Sequence, residues 1–499
     1  NDYDFSGLTI DNSSSYCNST VVLGGWSLMI FYSHPSLPAS TINLYQGFDG
    51  NQNSSSTFSL SGFYAIGSTG AKTTALSWEG DQTLANNESL RFTTPLSGTN
   101  NLTGDGDNNG TTVSNPFNST NFDNTVLPAV NNTASHGVDL DTYDVSSFIL
   151  PGETSATTQV NVGQDYVIMN AVVLKVPSNL ITGRVFEDLS YGGGTGRDYA
   201  GSTGVGVPGA TVELYDAGGT LVDTQTTDSN GIYVFAGMID GTYSVRVVNE
   251  TVRSTRGGGT ACSSCLPVQT FKSDYAAGTV TPDPNQVGGA NPSATDPGPG
   301  NLTGAQTIGV VTIISEGAAG IDFGFNFNTI VNTNDTGQGS LAQFITNANN
   351  LDESGLDIEA NALFDPPAGV DLSVFMIPPS GDALGRVADP GFNGAYFDID
   401  LSGPLDDLSS DNIGIDGRTQ TAYSGDTNTG TTGSGGTAVG ISANVLPPFE
   451  LPEIQVHRNA GDVFVNTGTA NQISSLSIFS GSNSSIRVTA GTLGLNANL

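Results

Sequence analysis

Positive charge is scarce in this sequence. Of 499 residues, 13 are Lys or Arg against 48 Asp or Glu, a formal net charge of -35. A nucleic-acid partner needs a cationic face to meet phosphate, and an anionic membrane surface asks for the same; neither partner is expected. No stretch approaches the roughly 20 apolar residues of a membrane-spanning helix. Only three His are present (His34, His136 and His457), which leaves little material for a zinc site or a serine-hydrolase triad. The three Cys (Cys17, Cys262 and Cys265) are too few and too clustered for a disulfide framework. Residues that build long helices are thinly scattered.

The polarity comes instead from uncharged residues, including 65 Gly, with abundant Asn, Ser and Thr. Short runs of Thr, Val, Ile, Tyr and Phe, punctuated by Gly, Asn, Asp and Pro, specify a nearly all-β chain. Hydrophobic residues make up 36%, enough for several sandwich cores, and their regular recurrence argues against disorder. The acidic excess fits an extracellular protein kept soluble by self-repulsion, with divalent cations as its natural counter-ions.

Residues 1–177 read as an N-terminal β-sandwich domain, with strands expected at 26–32, 65–66, 75–78, 166–169 and 171–176. Trp26 and Trp78 fit its core better than a sugar-binding surface. The long polar loop over 99–132 holds Asp105 and Asp107, half of a calcium-loop pattern without its closing Glu. Residues 178–250 read as a small immunoglobulin-like sandwich with alternating strands and a tight turn at Asp228-Ser229-Asn230-Gly231. Residues 251–319, rich in Gly and Pro, read as a linker or extended arm with one strand at 307–314. Residues 320–499 read as a β-helix-like solenoid. Its opening run at 320–327 alternates, Ser340 is placed to cap a short helix, and later strands at 454–456, 463–465, 476–478 and 486–488 recur about 9 to 13 residues apart. The chain opens at Asn1 without Met or apolar leader, as a processed chain or an arbitrary boundary would. It stops in mid-pattern at Leu499, so either more sequence follows or a neighbouring chain caps the stack.

Gly183, Val185, Phe186, Glu187 and Asp188, then Val207-Pro208-Gly209-Ala210, Asp228, Gly231-Ile232-Tyr233 and Gly241-Thr242-Tyr243 carry a resemblance. Over some 70 residues the chain is similar to the SdrD B-like and Cna B-type modules of bacterial surface proteins. Further on, 331–341 resembles the entry segment of right-handed parallel β-helices in bacterial exported proteins, and Ile415-Asp416-Gly417-Arg418-Thr419-Gln420 resembles the turn that follows in such domains. The resemblance implies a spacer-like sandwich in a large secreted surface protein. It also implies a calcium site in the acidic loop after the module's first strand, for which this chain offers Glu187, Asp188 and Asp198. Ser190 and Gly192 stand where further acids are expected, so a bound Ca2+ and a plain solvated loop both remain open. Some Cna B-type modules form isopeptide bonds through a Lys; here no Lys occurs between Lys175 and Lys272, which excludes one.

Cys262-Ser263-Ser264-Cys265 lies between Gly-rich and Pro flanks and is expected to close a local disulfide, leaving Cys17 over. Candidate glycosylation sequons stand at Asn12, Asn18, Asn53, Asn87, Asn101, Asn109, Asn118, Asn131, Asn249, Asn301, Asn334 and Asn483. Asp398, Asp400, Asp406, Asp407 and Asp411 are the nearest thing to the paired acids of a polysaccharide-degrading enzyme. No His, Lys or Arg clusters beside them, and the alternation of 397–401 puts its acids on an outer face. The expectation is therefore not an enzyme but an extracellular structural protein: a subunit of a cell-surface filament, sheath or matrix, probed by partners that are copies of itself or other surface components. The second expectation is an adhesin binding glycans through the N-terminal domain.

Overall fold

The computed structural model describes residues 40–63, 69–81, 87–103, 115–135, 137–236, 238–314, 317–432 and 448–496, with short pieces at 6–7, 13, 25, 27–32, 65 and 83–84. They fall into two compact units: residues 1–180 with 236–240 and 314–317, and the remainder. The described chain is nearly all β.

The first unit contains β1 (Ser40–Asn51), β2 (Ser54–Ser61), β3 (Lys72–Trp78), β4 (Ser89–Thr94), β5 (Gly98–Asn101), β6 (Asn121–Asp123), β7 (Val130–Asn132), β8 (Val138–Asp144), β9 (Ser155–Val162) and β10 (Val167–Pro177). A six-stranded sheet in the order β1-β10-β3-β8-β6-β7 and a four-stranded sheet β2-β9-β4-β5 enclose one core. Successive side chains on a strand face opposite ways, so β9 buries Ala156, Thr158, Val160 and Val162. Phe58, Phe92, Tyr143, Val172 and Leu174 are among the residues that complete that core. The runs at 166–169 and 171–176 are one strand, whose register against β3 slips between Met169 and Ala171; a bulge of this kind breaks the two-residue period and makes one strand read as two. The strand expected at 26–32 does not form over its described residues 27–32.

The second unit begins with a sandwich-like sheet system of eleven strands: β11 (Leu180–Asp188), β12 (Gly204–Gly206), β13 (Thr211–Asp216), β14 (Leu221–Thr226), β15 (Ile232–Ala236), β16 (Gly241–Val247), β17 (Val268–Ala276), β18 (Thr279–Asp283), β19 (Ile308–Ile313), β20 (Ala318–Ala319) and β21 (Phe323–Asn326). Residues 251–319, expected to form an arm with one strand, instead supply β17, β18, β19 and β20. β19 pairs with β16 through Tyr243 and Val311, and β17 pairs with β21. Most of their Gly and Pro lie between these strands, Pro282 in β18 and Gly309 in β19 being exceptions, and such a composition hides the pairing. The alternating run at 320–327 also belongs here: β21 lies parallel to β11 and buries Phe323 and Phe325 completely.

Past residue 328 the strands stack in parallel: β22 (Thr329–Ile330), β23 (Asp371–Leu372), β24 (Val374–Phe375), β25 (Phe397–Leu401), β26 (Ile413–Asp416), β29 (Ile454–Arg458), β30 (Phe464–Asn466), β31 (Asn471–Ser474), β32 (Ser477–Ser480), β33 (Ile486–Val488) and β34 (Leu493–Asn496), with a short antiparallel pair, β27 (Thr431–Thr432) and β28 (Phe449–Glu450), beside them. In the last coils each strand pairs with one 22 residues further on: Gln455 with Ser477, Phe464 with Ile486, Gln472 with Gly494. Ile399, Ile415, Val456, Phe464 and Ile473 fill the interior. Buried Asn471 joins turns within it, donating to the Asn466 side chain at 2.8 Å and accepting from Ile413 N–H at 2.8 Å. Helix α1 (Leu341–Ala348) is capped as expected, Ser340 Oγ accepting from Gln343 N–H at 3.1 Å. Helix α2 (Arg418–Ser424) aims Thr419 and Gln420 at the backbone of Phe375 and Ile377.

Phe325→Ala should lower the stability of the sandwich by about 3–5 kcal/mol, because a fully buried ring leaves a cavity that β11 and β17 cannot close. Urea unfolding of the full chain measures it; a loss under about 1 kcal/mol would show that β21 is not part of this core.

Candidate functional site

The acidic loop that follows β11 is where the sequence directs attention. Its three acids diverge. Glu187 is buried and accepts hydrogen bonds from Ser254 Oγ at 2.9 Å and from Thr255 N–H and Oγ1 at 2.5 and 2.7 Å, with Arg256 Nε 3.8 Å away. Asp188 is held by one edge of the Arg197 guanidinium, accepting from Nε at 2.9 Å and from Nη2 at 2.5 Å. Exposed Asp198 closes a local turn by accepting from Gly201 N–H at 2.6 Å. Burial pushes the carboxyls of Glu187 and Asp188 up from their ordinary values, against the opposing pull of Arg256 and Arg197. The three carboxylates thus do not share a cage, and the first two have protein donors and cations as partners.

The rest of the loop explains why acids are missing from it. A Cβ on Gly192 would lie 2.3 Å from the Glu359 carbonyl oxygen, and one on Gly196 would lie 1.8 Å from that of Thr270. These glycines let the loop lie flush on neighbouring backbone, where no larger side chain fits. Glu359 N–H donates to Ser190 O at 2.9 Å, and Arg197 Nη1 reaches Glu359 at 2.7 Å. The loop is a docking surface for the stacked coils.

Buried arginines complete the junction. Arg256 Nη1 contacts both Asp371 oxygens, at 3.0 and 3.1 Å, and Asn328 Nδ2 donates to the same carboxylate at 2.7 Å. Arg256 therefore stands between Glu187 of β11 and Asp371 of β23. Arg386 pairs with Asp382, donates to Met376 O at 2.8 Å and Tyr423 Oη at 2.8 Å, and crosses to Val287 O at 3.0 Å. Arg246, with no exposed side chain, joins Glu213 at 2.8 Å to Asp296 at 3.0 Å. That last contact fastens the segment once expected to be a free arm. A charge removed from water is tolerable when it is paired; the Nε atoms of Arg246 and Arg256 are the donors of these forks left without a hydrogen-bond partner.

The other candidates are placed as follows. Cys262 and Cys265 form the expected disulfide, packed on Phe327 and Leu351. Arg184, on the strand where an isopeptide Lys would stand, lies over the Tyr199 ring at 3.8 Å. Asn53, Asn87, Asn101, Asn131, Asn301 and Asn483 are exposed and Asn334 is half-buried. Asn118 and Asn249 are buried, so a glycan on either would prevent the observed fold. Asn12, Asn18, Asn109, Cys17, Trp26, Asp105 and Asp107 lie outside the described residues. Asp406 accepts from Thr346 Oγ1 at 3.2 Å and Asp411 from Thr469 N–H at 2.6 Å, as structural partners. Asp398 and Asp400 do share an outer face, but the sequence misjudged their company. Parallel pairing of β25 with β29 sets His457 beside Asp400. Its ring nitrogens lie 3.0 Å from Asp398 and 3.6 Å from Asp400, and its ring stacks on Phe479 at 4.7 Å. No spacing rule within the sequence marks that pair.

Residues 180–269 match the SdrD B-like domain family. No curated protein matches the chain. Solved structures align at low similarity: the group B streptococcus pilus 2b backbone protein (11% identity, 58% of this chain, 97% of that one, TM-score 0.14), the T6 backbone pilin of serotype M6 Streptococcus pyogenes (15%, 42% and 48%, TM-score 0.11) and the major plantain pollen allergen Pla l 1 (16%, 30% and 94%, TM-score 0.14). Overlaps this slight carry no argument about the fold or role of this chain.

Two outcomes test the junction. Asp371→Asn should cost about 3 kcal/mol by leaving Arg256 buried with a weakened partner, read by urea unfolding of the full chain. Burial alone would raise the Asp382 carboxyl, but Arg386 and Tyr423 hold it below its usual value. A carboxylate shifted down contributes stability above its unfolded value that disappears as pH falls through its folded one. Asp382→Asn should therefore be destabilising at pH 7, with the difference between wild type and variant shrinking as pH falls below the ordinary aspartate range; a difference that does not shrink on acidification would contradict the pairing.

Proposed function

We propose that this chain is a structural element of an extracellular bacterial surface assembly, a subunit of a filament, sheath or matrix. The observation that carries this reading is the junction of the second unit. The loop that could have been an ion site is a flush docking surface, and Arg256 bridges Glu187 to Asp371 with nearly no exposure. Such a junction suits a spacer that must hold its geometry. The SdrD B-like match over 180–269 supports a surface location and a non-catalytic role. The 22-residue parallel pairing supports the β-helix expected from the sequence. Among the described residues no helix is long and apolar enough to cross a membrane. Partners on this reading are copies of the same chain or other surface components.

An adhesin is the second reading, but its one supporting feature lies outside the N-terminal domain expected to bind glycans: Phe479, 46% exposed and stacked on His457, offers an aromatic platform on β32.

Immunogold labelling of intact producing cells with antibodies to the full chain should decorate a surface layer or filaments and leave the cytoplasm unlabelled. Cytoplasmic label alone would contradict the surface reading. Binding to a glycan array that is lost in Phe479→Ala would move the assignment to the adhesin.

A further inference from the structure

One cluster of carboxylates stands apart from every residue discussed so far. Glu79 and Asp81 follow β3, Glu88 immediately precedes β4, and Asp165 lies in the turn from β9 to β10. β3 and β10 belong to the six-stranded sheet, β4 and β9 to the four-stranded one. Each of the two connections therefore crosses between the sheets of the N-terminal sandwich. They meet where carboxylate oxygens of Glu79, Asp81 and Asp165 lie within 4.8 Å of one another.

The cluster is held in place by backbone. Glu79 has φ of 71°, a left-handed conformation that side-chain-bearing residues seldom adopt, and its N–H donates to Gly137 O at 2.7 Å. Asp81 N–H and Tyr166 N–H donate to the two Asp165 oxygens at 2.9 and 2.7 Å. Asn115 Nδ2 donates to Asp81 O at 3.1 Å. A Cβ on the intervening Gly80 would lie 2.8 Å from the Phe117 carbonyl. The charges that act on Glu79 are those of Asp165 and Asp81, and on Glu88 those of Asp165 and Asp139, so acids surround acids.

Glu88 supplies a separate observation. It is only 2% exposed, and neither of its carboxylate oxygens has a hydrogen-bond partner of good geometry. The group faces Asp165 and the backbone of Gly163. Among the described residues, the backbone amides of Asp165 and Gly163 are its only donors and neither makes a hydrogen bond of good geometry; a buried carboxylate so poorly satisfied, with no cation beside it, is costly.

We propose that Glu79, Asp81 and Asp165 bind a calcium ion whose charge also compensates Glu88, and that the ion clamps the two sheets of the N-terminal sandwich at one end. The donors are all oxygen, with no His or Cys among them, which selects a hard cation. Calcium accepts six to eight oxygens in irregular geometry, so backbone carbonyls and water can complete a shell begun by three carboxylates. Exposed Asp81 gives the ion a route from solvent. The ion that composition leads one to expect thus belongs in this sandwich, and not in the loop of Glu187, Asp188 and Asp198.

The test is thermal unfolding of the chelator-stripped full chain with CaCl2, with MgCl2 at equal concentration, and with EDTA, alongside calorimetric titration with Ca2+. Saturating Ca2+ should raise one melting transition by about 4 °C or more, with Mg2+ giving less than half of that. Glu79→Gln and Asp165→Asn should each lose the increment and weaken calcium binding at least tenfold. Glu88→Gln should melt no lower than wild type in EDTA, because it replaces a buried carboxyl whose two oxygens lack partners of good geometry. The proposal fails if Ca2+ causes no shift in wild type. It fails equally if Mg2+ matches Ca2+, which would assign the effect to screening of the net negative charge. Retention of the full increment by both Glu79→Gln and Asp165→Asn would place the ion elsewhere and overturn it as well.

Discussion

The second unit depends on arginines that have left water. The chain has only ten Arg and three Lys, and several of those arginines sit inside, each between groups far apart in sequence. Arg246 joins Glu213 to Asp296, Arg256 joins Glu187 to Asp371, and Arg386 joins Asp382 to the carbonyl of Val287. A guanidinium is planar, keeps its charge when buried and offers five donors in a fixed fork, which suits it to fastening carboxylates and carbonyls together. Such pairs are weak sources of net stability, since desolvation offsets most of the attraction, but removing one partner is severe. They select one arrangement of the segments over others.

That arrangement gives the Gly-rich loop after β11 its meaning. In a module standing alone, such a loop would face solvent and could gather acids around an ion. Here Gly192 and Gly196 lie against the Glu359 and Thr270 backbones, and Asp188 turns to Arg197. The loop also shares a buried apolar cluster with both parts of the unit, in which Tyr191 stands with Val268 of β17 and Val374 of β24.

Local pattern was legible where local physics decides. The alternation of β21, the Ser340 cap, the recurrence of strands in the last coils and the Cys262–Cys265 bridge all depend on near neighbours, and their residues carry the signal, whereas β9 alternates as cleanly and was not read as a strand. The misreadings share one cause: pairing between distant segments. Residues 251–319 read as an arm because Gly and Pro mark their turns, while the partners of β17 and β19 lie elsewhere in the chain. His457 meets Asp400 only because parallel coils bring strands a full turn apart into register. Glu79, Asp81 and Asp165 converge only once both sheets of the first sandwich have formed. An acid-rich chain offers too many acids for composition to single these out.

The central claim is that the sandwich and the coils of the second unit form one cooperative body through buried arginine clamps. Native-state hydrogen exchange of the full chain tests it most directly, because it resolves opening free energies segment by segment. The account predicts that amides of β11, β17 and β21 and those of β25, β26 and β29 share one opening free energy, and that Arg256→Met lowers both sets together. Coil amides that open well before the sandwich in the wild-type chain, or an Arg256→Met effect confined to one side of the junction, would contradict it.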